Sequence, residues 1–262
     1  MQLAGPRCYG PQRSTSLQAM PLIQRFVALA ATALVSLSGA QAESLSREAM
    51  FARLSALAPN GNAEVKYNLG MFLNNGIGTA QDNVAAFRYF TEAAEAGHPL
   101  AAYKVGCYLA GQFPGVVPVN EADALKFKLR AAEAGYMLAQ SDVGLHYGKQ
   151  RDMDNALLWW ERASRQGSLQ ATVYLAHWLS RDKSPMKAKG YALSLQARDL
   201  SPKATNELLA HIAKLEAELT PSEKAEAQAI HASWLTGKSP LTVQADTGMA
   251  AAVALLAAGE QR

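Results

Sequence analysis

Four stretches of this chain carry the same short pattern at nearly even spacing, and that self-similarity limits the fold more than any other feature. In KYNLGMFL (66–73), YKVGCYLA (103–110), SDVGLHYG (141–148) and VYLAHWLS (173–180) an aliphatic residue precedes a small one. The pairs are Leu69-Gly70, Val105-Gly106, Val143-Gly144 and Leu175-Ala176, and a ring follows two places later at Phe72, Tyr108, His146 and Trp178. The small residues lie 36, 38 and 32 positions apart, and a second marker, Gly97, Gly135 and Gly167, keeps intervals of 38 and 32. The pentapeptide AAEAG itself occurs at 93–97 and again at 131–135. Two markers holding one period exclude chance recurrence in an alanine-rich chain. A period of this length is the mark of a stacked array, in which each unit buries a face against its neighbour.

Each unit reads as helix–turn–helix. Ala86, Tyr89, Phe90, Ala93 and Ala94 fall on one helical stripe. Ala124, Phe127, Ala131 and Ala132 repeat it with Lys128 as an interruption, and Ala156, Trp159, Trp160, Ala163 and Ser164 repeat it again. The closing glycine suits the left-handed residue that ends a helix. The loops 74–82 and 111–120 carry turn formers, with Asn83 or Asp82 and then Asn120 as N-caps. Alternating Val/Ile/Thr runs are scarce, so nothing argues for a sheet. The expected fold is all-α: a superhelical solenoid of about four hairpins between capping helices.

The aliphatic-Gly pair, the glycine-bearing loop, the downstream ring and AAEAG together resemble the Sel1-like repeat, a relative of the tetratricopeptide repeat. The units run about 63–98, 101–136, 139–168 and 171–201. The fourth departs from the pattern, with Ala176 and Gly190 at small positions and Ser201 where the closing glycine should stand. The resemblance implies a curved protein-binding scaffold and, for exported bacterial members, work in the cell envelope or against a host. By analogy with tetratricopeptide proteins, the inner face is expected to present Tyr67, Met71 and Asn74, then Tyr103 and Cys107, Ser141 and Leu145, and His177 with Arg181. That face is apolar, aromatic and neutral polar, and it lacks a cluster of basic residues for a carboxylate or phosphopeptide. An apolar helix or extended protein segment is the expected guest.

The flanks are read as caps and leader. Residues 44–61 are expected to form one amphipathic helix with Met50, Phe51, Leu54 and Leu57 on its apolar side. Ser201-Pro202 is expected to open a helix through Leu219, and Thr220-Pro221-Ser222-Glu223 is a capping box for another reaching about Trp234. The array with its caps spans 43–237, and 238–262 is a weakly determined tail whose apolar GMAAAVALLAA is too short to span a membrane. At the other end, Arg25, the apolar run 26–37 and Ala40-Gln41-Ala42 read as a secretory leader over 1–42, cleaved after Ala42. The polar stretch before Met20 is long for such a leader, and a start at Met20 gives 23 residues to the cut. The whole chain is formally +3, but setting aside Arg7, Arg13 and Arg25 leaves 22 basic residues against 22 acidic ones. A neutral body gives no electrostatic reason to expect nucleic acid or an anionic membrane surface. With Cys8 in the leader, the mature chain keeps Cys107 alone, read as a small buried residue.

Catalytic signatures fail one by one. Gly237-Lys238-Ser239 lacks the phosphate-loop glycine at 232, which is Ala, and Pro240 follows it. Ser180 with Lys183, and Ser184 with Lys187, satisfy S-x-x-K without its partner motifs. GIGTAQ (76–81) has no strand before it, and the five histidines form no metal signature. His146, in a column of rings, is expected to pack. No catalytic residue, metal or cofactor is expected. The expected function is a non-catalytic adaptor, periplasmic or secreted, with a protein partner. A secreted hydrolase of cell-wall or β-lactam type, or a peptidoglycan-binding structural protein, is the alternative; a nucleophile–base pair near Ser180 or Ser184 would distinguish the hydrolase.

Overall fold

The computed structural model describes residues 46–181 and 184–259; the expected leader lies outside them. Among these residues every regular element is helical. Helix α1 is Arg47–Leu57, followed by a 3-10 turn at Ala58–Asn60. Four hairpins come next: α2 (Ala63–Asn75) with α3 (Asn83–Glu95), α4 (Pro99–Leu109) with α5 (Glu121–Glu133), α6 (Met137–Lys149) with α7 (Met153–Arg165), and α8 (Leu169–Leu179) with α9 (Lys187–Leu200). Helices α10 (Asn206–Glu218) and α11 (Pro221–Ser233) pack on α9, and α12 (Pro240–Thr247) and α13 (Met249–Gly259) end the described chain.

The repeated sequence marks the places where helices must come close. An added Cβ on Gly70 would stand 2.7 Å from the Phe90 ring of α3, and one on Gly106 would stand 2.7 Å from the Lys128 stem of α5. On Gly144 it would strike the Trp160 ring of α7. Each glycine is therefore a socket for a side chain of the second helix in its own hairpin. Filling one with Phe90, which is fully buried, stabilises the unit by roughly 1.5–3 kcal/mol through apolar area alone. In the fourth hairpin the socket changes sides: Ala176 stands on α8, and Gly190 of α9 lies where a Cβ would meet the Ser180 amide at 2.7 Å.

AAEAG closes the second helix. Its paired alanines, Ala93-Ala94 and Ala131-Ala132, are sealed in the core, as are Ala163-Ser164 in the third unit. Gly97, Gly135 and Gly167 take φ of 92°, 96° and 93°, where L side chains are strained. The residue after each glycine bonds back across the end: His98 N to Ala93 O at 3.0 Å, Tyr136 N to Ala131 O at 3.0 Å, Ser168 N to Ala163 O at 3.1 Å. This is the Schellman ending, and it turns the chain straight into the next unit.

The core runs along the stack as four clusters joined by shared residues. Tyr67 packs against the first and second, Tyr147 against the second and third, and Ile230 against the third and fourth. Such a nearest-neighbour core is what a solenoid requires. Asp82, Asn120 and Asp152 cap α3, α5 and α7 through their side chains, and Thr220 with Glu223 makes the expected capping box. Two flanking expectations change. Helix α1 stops at Leu57, which is exposed; the buried row is Met50, Leu54 and Ala58, one helical face at intervals of four. Ser201-Pro202 lies in a turn in which the Ser201 hydroxyl bonds Lys203 O at 3.0 Å, and α10 begins only after its N-cap Thr205.

Because Gly190 faces backbone that cannot yield, Gly190→Ala should lower stability by roughly 1–3 kcal/mol in urea unfolding. An unchanged midpoint would mean that α8 and α9 do not touch there.

Candidate functional site

Most of the residues expected on the inner face fall into four groups. Tyr103 and Cys107 are buried, with 2% and 0% exposure, because α4 is the central helix and packs into the second core cluster. Met71 is half-buried against the first cluster, and Tyr67 stacks on His98 with ring centroids 4.4 Å apart. His177 and Arg181 are exposed, the Arg181 guanidinium lying 3.6 Å over the Trp178 ring. Asn74 and Leu145 line a cavity of about 1040 Å³.

That cavity opens between the α2–α3 and α4–α5 loops, the first half of α5 and the second half of α6. Its wall combines carboxamides (Asn74, Gln81, Gln112), the Phe113 ring, and the ionisable groups of Glu121 and His146. Phe113 is held flat on Tyr108, centroids 4.0 Å apart, and the Tyr108 hydroxyl donates to Asn74 Oδ1 at 2.7 Å. Those contacts fix the wall from inside the core.

Its floor is α6. Lys128, the residue that interrupts the apolar stripe of α5, runs its stem over Gly106 and places Nζ 2.7 Å from Asp142 Oδ2. Both side chains are shielded from water, at 13% and 3% exposure. Burial pushes the Asp142 carboxyl above the usual carboxylate range, and the Lys128 charge opposes that rise. Burial also pushes the Tyr103 phenol well up; its hydroxyl lies 3.4 Å from the same Asp142 oxygen. His146 is held below the ordinary histidine value, chiefly by burial. Among the described residues, three of the four buried side-chain polar atoms without a hydrogen bond lie on this helix: Ser141 Oγ, Asp142 Oδ1 and His146 Nε2. Folded proteins satisfy nearly all such atoms, so three within two turns mark α6 out.

Ser180 does meet a histidine, with Oγ 3.2 Å from His211 Nε2. Its single proton goes to the nearer Ala176 carbonyl at 2.7 Å, which makes His211 the donor, the reverse of what a general base needs. The pair ties α8 to α10. The Ser184 oxygen accepts from the Met186 amide at 3.2 Å. Among the described residues no group of three His, Cys, Asp or Glu side chains could hold a metal ion. No single described helix is long and apolar enough to cross a membrane, and α12 and α13, which together reach that length, are bent by 88°.

The Sel1 repeat family model matches residues 63–98, 99–136 and 138–168. This chain carries three Sel1 repeats. The match stops where the glycine socket moves from α8 to α9. Over 122 residues, 44% of this chain, it is 32% identical to the chitin synthase regulator SKT5 of Malassezia restricta, of which the match spans 8%. A Sel1 repeat protein from Oxalobacter formigenes superposes with a TM-score of 0.56 at 24% identity, over 65% of this chain and 49% of that one. A protective antigen of uropathogenic Escherichia coli strains displaying an SLR fold gives 0.45 at 19%, over 76% and 50%. The chain thus spans about half of each solved chain and under a tenth of the fungal protein. The Oxalobacter structure supports the superhelical fold, and Sel1 repeats are typical of protein–protein interaction scaffolds.

The Lys128–Asp142 pair spans the second and third repeats. Lys128→Met leaves Asp142 buried without its counter-charge and should cost about 3 kcal/mol, whereas Lys128→Met with Asp142→Leu should recover most of it. Equal losses in the single and double variants, measured by urea unfolding, would show that the pair does not act as a unit.

Proposed function

We propose that this chain is a non-catalytic scaffold, exported to the cell envelope, that holds a partner protein of envelope or host origin on the inner face of its repeat stack. The observation that carries this reading is the floor of the cavity: two under-satisfied polar side chains of α6, Asp142 and His146, beneath a wall of carboxamides and Phe113. Carboxamides both donate and accept, which suits the alternating groups of a polypeptide segment, and Leu125 and Leu145 give it apolar footing. A fungal relative named as a regulator of a synthase fits an adaptor that acts through another protein. Export rests on Arg25, the apolar run 26–37 and the Ala40-Gln41-Ala42 ending. After cleavage the neutral body is expected to stay free of membrane and nucleic acid.

Both parts are tested in one strain expressing the full chain with a photo-crosslinking residue at Leu145 or, as control, at Leu158, which is exposed on α7. The expected result is a periplasmic or released product beginning at Glu43 that forms a discrete protein adduct from position 145 and none from 158. A product retaining residues 1–42 contradicts export. Identical adducts from both positions, or an adduct to glycan alone, contradict the proposed surface.

A further inference from the structure

The wall and the floor of the cavity differ in how their polar groups are used. Along the wall the carboxamides are tied to one another and to the backbone. Gln81 Nε2 donates to Asn74 O at 2.7 Å and to Asn83 Oδ1 at 3.3 Å, and Asn74 Nδ2 donates to Asn75 Oδ1 at 3.1 Å. The floor is left open. Asp142, Leu145, His146 and Lys149 stand at i, i+3, i+4 and i+7, so one face of α6 meets the cavity. There the Lys128 ammonium and the Tyr103 hydroxyl both take Asp142 Oδ2. Asp142 Oδ1 has no partner, and neither has His146 Nε2 one turn further on.

These two atoms specify their guest. A carboxylate oxygen paired with a lysine accepts and does not donate, whereas a neutral imidazole donates from the nitrogen that carries its proton. An acceptor and a donor one helical turn apart, on side chains with about 5–6 Å between their Cβ atoms, complement a primary carboxamide. Its nitrogen donates and its oxygen accepts. Charge selects in the same direction. The ionised lining residues balance, Lys128 and Lys149 against Glu121 and Asp142, and burial holds His146 neutral. A guanidinium would add a cation beside the two lysines, and a carboxylate would face Asp142 Oδ1. The rim supplies apolar surface. Val84 follows Asn83 of the wall, and Val119 lies two positions before Glu121. At 65% and 62% they are the most exposed large apolar side chains among the described residues.

We propose that the floor of the cavity is a subsite for a side-chain carboxamide: a glutamine or asparagine of the partner protein donates to Asp142 Oδ1 and accepts from His146 Nε2, on a segment whose apolar neighbours rest on Val84 and Val119. The inference rests on the scaffold reading and names the chemistry of its guest. His146 is then a ring in the packing column whose nitrogen is kept for the partner, which a phenylalanine or tryptophan at the same position would not offer.

The probes are peptides of the form acetyl-Val-X-Val-N-methylamide, with glutamine, asparagine, glutamate or arginine at X, so that only the side chain supplies a primary carboxamide. They are added at millimolar concentration to the full chain, and the His146 imidazole signals are followed by NMR. Those signals are assigned by their loss in His146→Phe, a change suited to a column that elsewhere holds Phe72, Tyr108 and Trp178. The glutamine or asparagine peptide should shift them and bind about tenfold more tightly than the glutamate or arginine peptide, as one hydrogen bond to a charged group implies. His146→Phe should weaken the amide peptide about tenfold. In Asp142→Asn the preference for glutamine over glutamate should vanish. That change leaves Lys128 without its counter-charge, so hydrogen exchange over 63–168 checks the fold, and where protection is lost His146→Phe decides. No shift at His146, equal or tighter binding of glutamate or arginine, a preference that survives Asp142→Asn in a folded variant, or unchanged binding in His146→Phe would each overturn the proposal. The adduct at Leu145 does not depend on which side chain the guest inserts. Loss of the amide preference with the adduct intact therefore overturns this inference alone, and loss of the adduct with the preference intact overturns the scaffold reading.

Discussion

Everything in this molecule depends on two helices of a hairpin touching at a position that has no side chain. Gly70, Gly106 and Gly144 each receive a side chain from the second helix of the same unit, Phe90, Lys128 or Trp160. That contact sets the distance between the helices, and the sealed alanines before Gly97 and Gly135 set the distance to the next hairpin. Units built to one gauge stack into a curved wall. The fourth unit keeps the gauge by a different route, with Gly190 on the opposite helix. Contact geometry is preserved there although the sequence pattern is not, which is why the family match ends at 168.

Where one unit meets the next, polar groups are shared across the seam. At one seam, Lys128 is both the filler of the Gly106 socket and the counter-charge of Asp142 in the following repeat. At another, the uncapped start of α6 is completed by Thr242. Both seams border α6, the helix that also carries the under-satisfied Ser141, Asp142 and His146. The third repeat is thus where the stack departs most from self-sufficiency, and the proposed contact surface adjoins it.

The helical hairpins, their closing glycines and the side-chain caps Asp82, Asn120 and Thr220 were legible in the sequence because each depends on residues within one turn or one period. The site was legible only in part. Asn74 and Leu145 were placed by repeat register and do line the cavity, but Tyr103 and Cys107 followed the same register into the core. Register fixes which way a side chain leaves its helix. It does not say what lies beyond, and for α4 that is α6 and α12. Lys128 was visible as a break in an otherwise regular stripe. Its partner Asp142, 14 positions further on, could not be read without the fold, and neither could Thr242 at the start of α6.

The most direct test of the socket principle is a double-mutant cycle by urea unfolding at Gly144 and Trp160. With Trp160 in place, Gly144→Ala should cost about 2 kcal/mol through the clash with the ring. In a Trp160→Leu background the same change should become neutral or favourable, because alanine is the better helix former by roughly 1 kcal/mol. If Gly144→Ala has the same effect in both backgrounds, the glycine is not there for the ring, and the common gauge of the repeats has another cause.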